Sequence, residues 1–424
     1  MKAAVSRRSA GARTRSESVI TAVLLAGACV VPLIVSESGY DVFRVPKTAV
    51  LEAEAILLAA LLAITAIYRG AEPFRELWRT QRPAVAIALG AVMWTAIASA
   101  ASTNRPLSAS SLLWVASCAT IFIATLLVAR SPSPLLLLFP LGPAVINAAL
   151  AILQRANWYN PLTFDAKLSL HNRTTALIGN PNDVASYLLF PAIVAIVMMT
   201  LSSAGTRIAW GAVAAILVGG VVASESVTGV IALAAACAAL TALVARRPAR
   251  TLGIIAAAAL VVVIVYTPLR VRAVEIARLA RSGHVADLTS GRLPAYLVAA
   301  RIFADHPITG AGPGCFGFSY FPYKLALNND YPEFFKFAEN FGEAHNDHLQ
   351  TLAVSGIFGY ALFVAAVVVL AMQARRGEGF GKRAGLPLAI GFSVATLAQF
   401  PLELASSMSV ILHFAALAME RAES

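Results

Sequence analysis

Four stretches of this chain, Ser18–Val35, Thr48–Ile67, Pro83–Ala101 and Leu252–Pro268, are near-continuous runs of apolar residues. Each is close to the length that crosses a bilayer, whose hydrocarbon core of about 30 Å takes about 20 residues of helix. No water reaches the backbone there, so its N–H and C=O groups must pair within the segment, and each run is expected to be a helix. A half-exposed soluble helix would instead repeat its apolar residues every three or four positions. Composition agrees: 58% of the 424 residues are hydrophobic and 13% are charged, against about a quarter charged in a soluble domain.

Further runs of the same kind extend the count to about twelve spans. They lie near 18–35, 48–67, 83–101, 110–129, 134–153, 183–201, 208–224, 226–244, 251–268, 349–373, 384–400 and 404–419. The fold class expected is therefore an all-α membrane protein. Residues 1–17 form a basic N-terminal stretch and 18–268 carry nine spans. Residues 269–348 form a large, partly helical loop, and 349–424 carry the last three spans and a short tail. The first run is long and lacks a clear small-x-small cleavage pattern before Tyr40, so it reads as a retained helix and not a removed signal.

Lysine and arginine in short loops set orientation, because positive segments resist translocation. With twelve spans, alternate loops share a side. One set of loops holds more than half of the 33 basic residues, including Arg7, Arg8, Arg69, Arg75, Arg79, Arg130, Arg207, Arg246 and Arg383. The short loops of the other set hold only Arg44, Lys47 and Arg105. Both termini are thus expected in the cytoplasm, with the long loop on the opposite face of the membrane. The net charge of +11 reports topology, and nucleic acid is not an expected partner. Cys29, Cys118 and Cys237 fall inside apolar runs, and no pair with Cys315 suggests a disulfide or metal framework.

A loop as long as 269–348 is usually folded and functional. Ser290-Gly-Arg-Leu-Pro294 has the composition of a helix start, and Tyr296, Ala299, Ala300 and Phe303 follow at helical spacing. His306-Pro307 stops that helix, and Gly310-Ala-Gly-Pro-Gly314 forms a turn whose glycines allow close backbone approach or simply connect elements. Phe316, Phe318, Tyr320, Phe321 and Tyr323 are interfacial anchors or a surface for stacking sugars. Asp330, Glu333, Glu339 and Glu343 are solvated carboxylates or contain an acid/base pair. The string Ala344-His-Asn-Asp-His-Leu-Gln350 then runs straight into an apolar span. Asn346 or Asp347 can cap that helix. His345 and His348, three apart, can share a face, but a zinc site wants a third ligand and a tighter motif. Glu52, Glu54, Asp183, Glu225, Glu403 and His413 lie in or beside spans, where an ionisable group tends to have a partner or face a cavity.

His345-Asn346, nine residues, then Gly356-Ile-Phe-Gly359 resembles the H-[NSQ]-x9-GxxG pattern of the O-antigen ligases. Arg292 followed by Asp305-His-Pro-Ile-Thr-Gly-Ala-Gly-Pro-Gly314, with Gly312 and Gly314, looks like the segment that precedes the catalytic loop in the same superfamily. Arg173 with Gly179-Asn-Pro-Asn182 is similar to a third block, and Pro46-Lys47 is a weaker fourth. The chain departs from the family at Ser224-Glu-Ser-Val-Thr-Gly229, where Val227 stands in place of an expected arginine. Arg173, Arg292 or Arg301 is the candidate to replace it, unless the donor or reaction differs.

The resemblance implies a GT-C-like arrangement with the catalytic loop between spans nine and ten. It implies a glycan donor on undecaprenyl diphosphate and an acceptor sugar hydroxyl. That hydroxyl is on lipid A-core for a ligase and on a glycan for a polymerase, the runner-up. Membrane lipids surround the site, and no cofactor is expected. Arg292, Arg173 and Arg301 are expected to hold the departing diphosphate, since guanidinium grips phosphate oxygens in two places. His345 is expected to take the acceptor proton, with Asn346 orienting the ring or capping the helix, and no metal is expected. A transporter of lipid-linked oligosaccharide is the reading from another class. It would show broken, repeated spans and be sensitive at midplane charges, not at His345 and Arg292.

Overall fold

Polar residues bracketing each apolar run decide where the helices begin. The computed structural model describes residues 14–37, 41–130, 134–162, 174–250, 253, 267–282, 289, 291–328, 330, 332, 340–376 and 379–419, and among these there is no strand. Helix α1 (Arg15–Val30) opens on a capping box, in which Thr14 accepts from the Glu17 N–H and Glu17 accepts from the Thr14 N–H. It is followed by α2 (Arg44–Arg69), α3 (Glu72–Ala100), α4 (Arg105–Ala129), α5 (Pro134–Leu138), α6 (Leu141–Arg155), α7 (Pro181–Leu201), α8 (Ala204–Ala223) and α9 (Val227–Val244). Both α4 and α7 carry proline in the first turn behind a capping asparagine, Asn104 and Asn180. The remainder is α10 (Thr267–Ser282), α11 (Leu293–Asp305), α12 (Phe316–Leu327), α13 (Asp347–Arg376), α14 (Gly379–Thr396), a 3-10 turn at Pro401–Glu403 and α15 (Ala405–Ala418).

Among the described residues eight helical stretches are long and apolar enough to cross a membrane. They are α2, α3, α4, α5 with α6, α7, α8, α9 and Asp347–Gln373 of α13. The expected spans at 18–35, 384–400 and 404–419 correspond to α1, α14 and α15, which are outside that set, α1 and α15 being only 16 and 14 residues long. The expected span at 251–268 lies almost wholly outside the described residues.

Helix α7 is apolar all round and sits at the centre of the bundle, with α8, α9, α14 and α15 packed on it. Helices α2 and α3 instead turn large apolar side chains outward, among them Ile56, Ile67, Met93 and Ile97. At one end of the bundle Arg69 pairs with Glu17 (2.6 Å), Arg79 with Glu76 (3.0 Å), and Arg383 donates to the Thr200 carbonyl (2.6 Å). His413, an ionisable group within α15, bonds the Leu136 carbonyl at 2.6 Å and is a structural tie between α15 and α5.

The opposite end is closed by the loop that contains α11 and α12. After α11 the chain lies across α13 as a strap: Ile357 N–H donates to the Pro307 carbonyl (2.9 Å) and Ala311 N–H to the Ala353 carbonyl (2.9 Å). Thr103, between α3 and α4, donates to the Ala311 carbonyl (3.1 Å). This approach needs glycine on both sides. Gly356 breaks α13 at φ +64°, where a Cβ would stand 2.0 Å from the Ile308 carbonyl oxygen. Gly310, at φ +69°, would place one 2.3 Å from the backbone of Val354. Gly312 and Gly314 meet the Ser102 and Ser111 side chains, and Gly359 lies beside Trp94. The glycine-rich turn is thus a close-approach element and more than a connector. The helix expected from the spacing of Tyr296, Ala299, Ala300 and Phe303 is α11, and its buried face is Pro294, Ala295, Val298, Ala299 and Ile302. That face docks against α13.

Gly356→Ala is expected to lower the thermal midpoint of the purified protein by several degrees, because it adds both strain and overlap. Gly142→Ala, which meets open space, should leave the midpoint unchanged in the same thermal-shift measurement.

Candidate functional site

The turn before α13 is built around two polar ties. Ala344 N–H donates to Gln350 Oε1 (2.8 Å), and Asn346 Oδ1 accepts from the Leu349 N–H (3.1 Å), which makes Asn346 the helix cap. Between them His345 sits at φ +53°, a left-handed conformation that costs a non-glycine residue about 1 kcal/mol. Neighbouring contacts hold it there. The imidazole packs edge-on against Phe400 (4.7 Å between centroids) and Phe341 (5.7 Å).

Two guanidinium groups lie near enough to act on the charge of this ring. Arg292, the residue before α11, donates from Nη1 to the Ala398 carbonyl (2.6 Å) and hydrogen-bonds Tyr296. Arg44, the first residue of α2, lies over Phe400, the ring packed on His345, 5.1 Å from its centroid. It is fixed by Glu343 (2.8 Å) and by Asp183 of α7 (3.5 Å). Burial, then Arg292, then Arg44 push the His345 pKa down to about 4. The imidazole is therefore neutral through the physiological range.

The two histidines of the string have different surroundings. His348 Nδ1 is 3.1 Å from the Tyr360 hydroxyl and its Nε2 is 3.1 Å from Thr396 Oγ1, so both ring nitrogens are engaged inside the bundle. Neither ring nitrogen of His345 has a hydrogen bond among the described residues, which leaves it open to a ligand. The pair does not converge, and among the described residues no three His, Cys, Asp or Glu side chains are grouped to share a cation.

The turn that joins α14 to α15 organises the rest. Its carbonyls accept from three different segments: Leu397 from the Asn346 amide (2.8 Å), Ala398 from Arg292 (2.6 Å) and Gln399 from the Asp347 N–H (3.2 Å). Gln399 also donates to Ser226 Oγ (2.8 Å), accepts from Ser186, and so reaches the start of α9. Ser226 in turn donates to Asn182 (2.8 Å), beside the Asp183 that holds Arg44. The block around Val227 is thereby joined to the Asn180–Asn182 block and to Arg44.

Other expected residues are placed less centrally. Arg301 is exposed and pairs with Asp305 one turn along α11 (3.4 Å). Arg173, Ser290, Glu333 and Glu339 lie outside the described residues. On α12, Phe316 and Tyr320 are buried while Phe318 and Phe321 face outward, so the aromatic stretch divides into a packed half and an exposed half. Glu225 pairs with Arg155 (2.5 Å), and Glu54 packs against Gly27. Arg44, Phe400 and Gln399 went unread as site residues. A signal for Arg44 was present, since it is one of very few basic residues in loops otherwise poor in positive charge.

These features define a polytopic helical membrane protein with a built polar site at one end of its bundle. Residues 212–364 match the profile of the O-antigen ligase family, a stretch that contains Arg292, the glycine-rich strap, His345, Gly356 and Gly359. The likeness to the O-antigen ligase and polymerase superfamily, whose members are glycosyltransferase-like membrane enzymes, is shown over this segment. A comparison with curated proteins gave no match.

The charge arrangement predicts a titration. In nanodiscs the His345 imidazole should protonate with a midpoint near 4, read by 15N-labelled histidine NMR. Arg292→Ala removes a positive neighbour, favours the imidazolium and should move that midpoint upward. An unchanged midpoint in the variant would show that Arg292 does not face the ring.

Proposed function

We propose that the chain is a membrane glycosyltransferase that moves a glycan from an undecaprenyl-diphosphate carrier to a sugar hydroxyl on the periplasmic face of the inner membrane. The acceptor we assign is lipid A-core, which makes it a surface-polysaccharide ligase. One observation carries this reading: an imidazole with no hydrogen-bond partner among the described residues, set between two guanidinium groups, within the segment that matches the O-antigen ligase profile.

The acceptor oxygen attacks the anomeric carbon, the bond from that carbon to the diphosphate oxygen breaks, and the diphosphate leaves with the electron pair. Negative charge grows on the departing group, and Arg292 and Arg44 are fixed in advance to meet it. The acceptor proton passes to His345, which is neutral and able to accept it. Asn346 holds the turn through the helix cap and its bond to Leu397. Arg44 answers for the arginine missing at Val227, because it stands on the same Asp183, Asn182 and Ser226 cluster. Arg173 is assigned a further part in holding the carrier, and Arg301 a peripheral one. The guanidinium groups supply the cationic charge, so neither metal nor cofactor is required.

Reconstitution with a defined lipid-diphosphate glycan and a choice of acceptors tests the assignment. His345→Ala should lower transfer by at least about 10²-fold, with the protein still inserted in the membrane. Arg44→Ala and Arg292→Ala should each lower kcat by about 10²-fold. Activity should persist in chelator-treated protein. Strict dependence on added divalent metal would refute the arginine account, and full activity of His345→Ala would remove the base. Growth of a glycan acceptor, with lipid A-core untouched, would assign the chain to the polymerases instead.

A further inference from the structure

Helix α12 is turned inside out for a helix bounded by water. Its buried face carries Ser319, Tyr320 and Lys324 beside Phe316, and the Lys324 ammonium lies 5.8 Å from the Tyr320 ring centroid. Its outward face is Phe318, Phe321, Pro322, Leu325 and Ala326, with no polar side chain among them. Phe318 is 56%, Phe321 50% and Leu325 45% exposed. A helix whose outer face meets water carries its charges there and turns carbon inward. Helix α12 does the reverse, as a helix does where its surroundings are apolar.

The place of α12 says what those surroundings are. Its capping residue, Cys315, lies against Ser102 in the turn between α3 and α4, 3.2 Å from Sγ to Oγ. Gly314, just before it, is so close to the first turns of α4 that a Cβ would stand 2.3 Å from Ser111 Oγ. Helix α4 is long and apolar enough to cross a bilayer, and it turns Leu107 and Leu113 outward near this end. Helix α12 therefore starts at the level where a span leaves the membrane, and its apolar face begins beside theirs. Pro322 bears on the depth. It has no N–H, so the Phe318 carbonyl lacks the donor four residues on. Such a group is tolerated among hydrated head groups and is costly in hydrocarbon.

Two other occupants suit this face less. A bound sugar needs hydrogen-bonding groups beside the ring it stacks on, and the face has no polar side chain. A second copy of the chain needs about 800 Å² per partner, whereas two half-exposed phenylalanines and a leucine offer roughly 300 Å². For a bilayer surface that area suffices, because the spans already hold α12 against it.

We propose that α12 is an interfacial helix, with Phe318, Phe321 and Leu325 set into the boundary between head groups and acyl chains. The leaflet is the one at the site's end of the bundle. The inner face of α12 carries that contact to the turn before α13. Tyr320 packs on Phe341 (5.5 Å between centroids), and Phe341 packs on His345 (5.7 Å). The role assigned to it rests on the glycosyl-transfer reading: α12 sets the height of His345 over the lipid that bears the substrate.

The test uses the full chain in vesicles of phosphatidylethanolamine and phosphatidylglycerol, with its native cysteines replaced by alanine and a nitroxide on one introduced cysteine. Collision with oxygen against collision with an aqueous nickel chelate gives the depth of the label. Phe318→Cys, Phe321→Cys and Leu325→Cys should each lie about 5–10 Å below the head-group surface. Met93→Cys, on the outward face of α3, gives the hydrocarbon reference, and the exposed Glu72→Cys gives the water reference. Labels on α12 that meet nickel as often as the water reference would overturn the proposal. A second measurement keeps the native cysteines: benzoylphenylalanine in place of Phe321 should join phospholipid on illumination. Capture of a second copy of the chain, or of no lipid, would overturn it too. For the role, Phe321→Asp should lose transfer and Phe321→Trp, a residue at home in the interface, should retain it. Equal transfer in the two would remove the role and leave the placement. Neither depth nor crosslinking needs turnover, so lipid contact in a protein without transfer removes only the enzymatic reading. Water at all three positions, with transfer still lost in His345→Ala, removes only this proposal.

Discussion

Three backbone carbonyls in succession, those of Leu397, Ala398 and Gln399, hold this end of the molecule together. They belong to the turn that follows α14, whose N–H groups at Leu397 and Ala398 close the helix by bonding back to Val394 and Ala395, leaving the turn's own carbonyls for other segments. The side chains of Asn346 and Arg292 and the N–H of Asp347 fill those vacancies, and each comes from a different part of the chain. Phe400 then presents its ring to both His345 and Arg44. A turn whose carbonyls would otherwise need water thus becomes the frame on which α2, α11 and α13 converge.

The electrostatics of that frame have a direction. His345 is made a weak base by burial and by the two cations beside it. An anionic group lying against those cations cancels part of their effect, and the ring becomes a better base while it is there. On the proposed reaction, basicity rises when the donor diphosphate is in place and falls when it has gone. The same arginines that stabilise the leaving group therefore also govern when a proton can be taken.

Much of the architecture was legible along the chain because apolar runs report membrane crossing directly. The strap was legible in part, since glycines clustered at 310–314 and at 356 and 359 announce close backbone approach without saying to what. His345 was singled out by its company, and the contrast with His348 emerges only from Tyr360 and Thr396, which are distant in sequence. The turn at 397–403 escaped reading for a physical reason: its work is done by main-chain carbonyls, which no residue type reveals. Arg44 escaped because its partners Asp183 and Glu343 are far away in the chain, although its place in a loop poor in basic residues marked it as unusual.

The break in α13 has a mechanical result. Residues 347–357 are bonded to the strap and to the 397–403 turn, whereas 358–373 continue as an apolar helix with Phe358, Val364, Val368 and Met372 outward. A single glycine with non-helical torsions lies where the two parts meet. A change of tilt in the lower segment would meet this joint before it reached the turn that carries His345. The upper segment is registered with the loop it carries by the strap and the 397–403 turn, so the aim of the imidazole is set apart from the tilt of the scaffold beneath it.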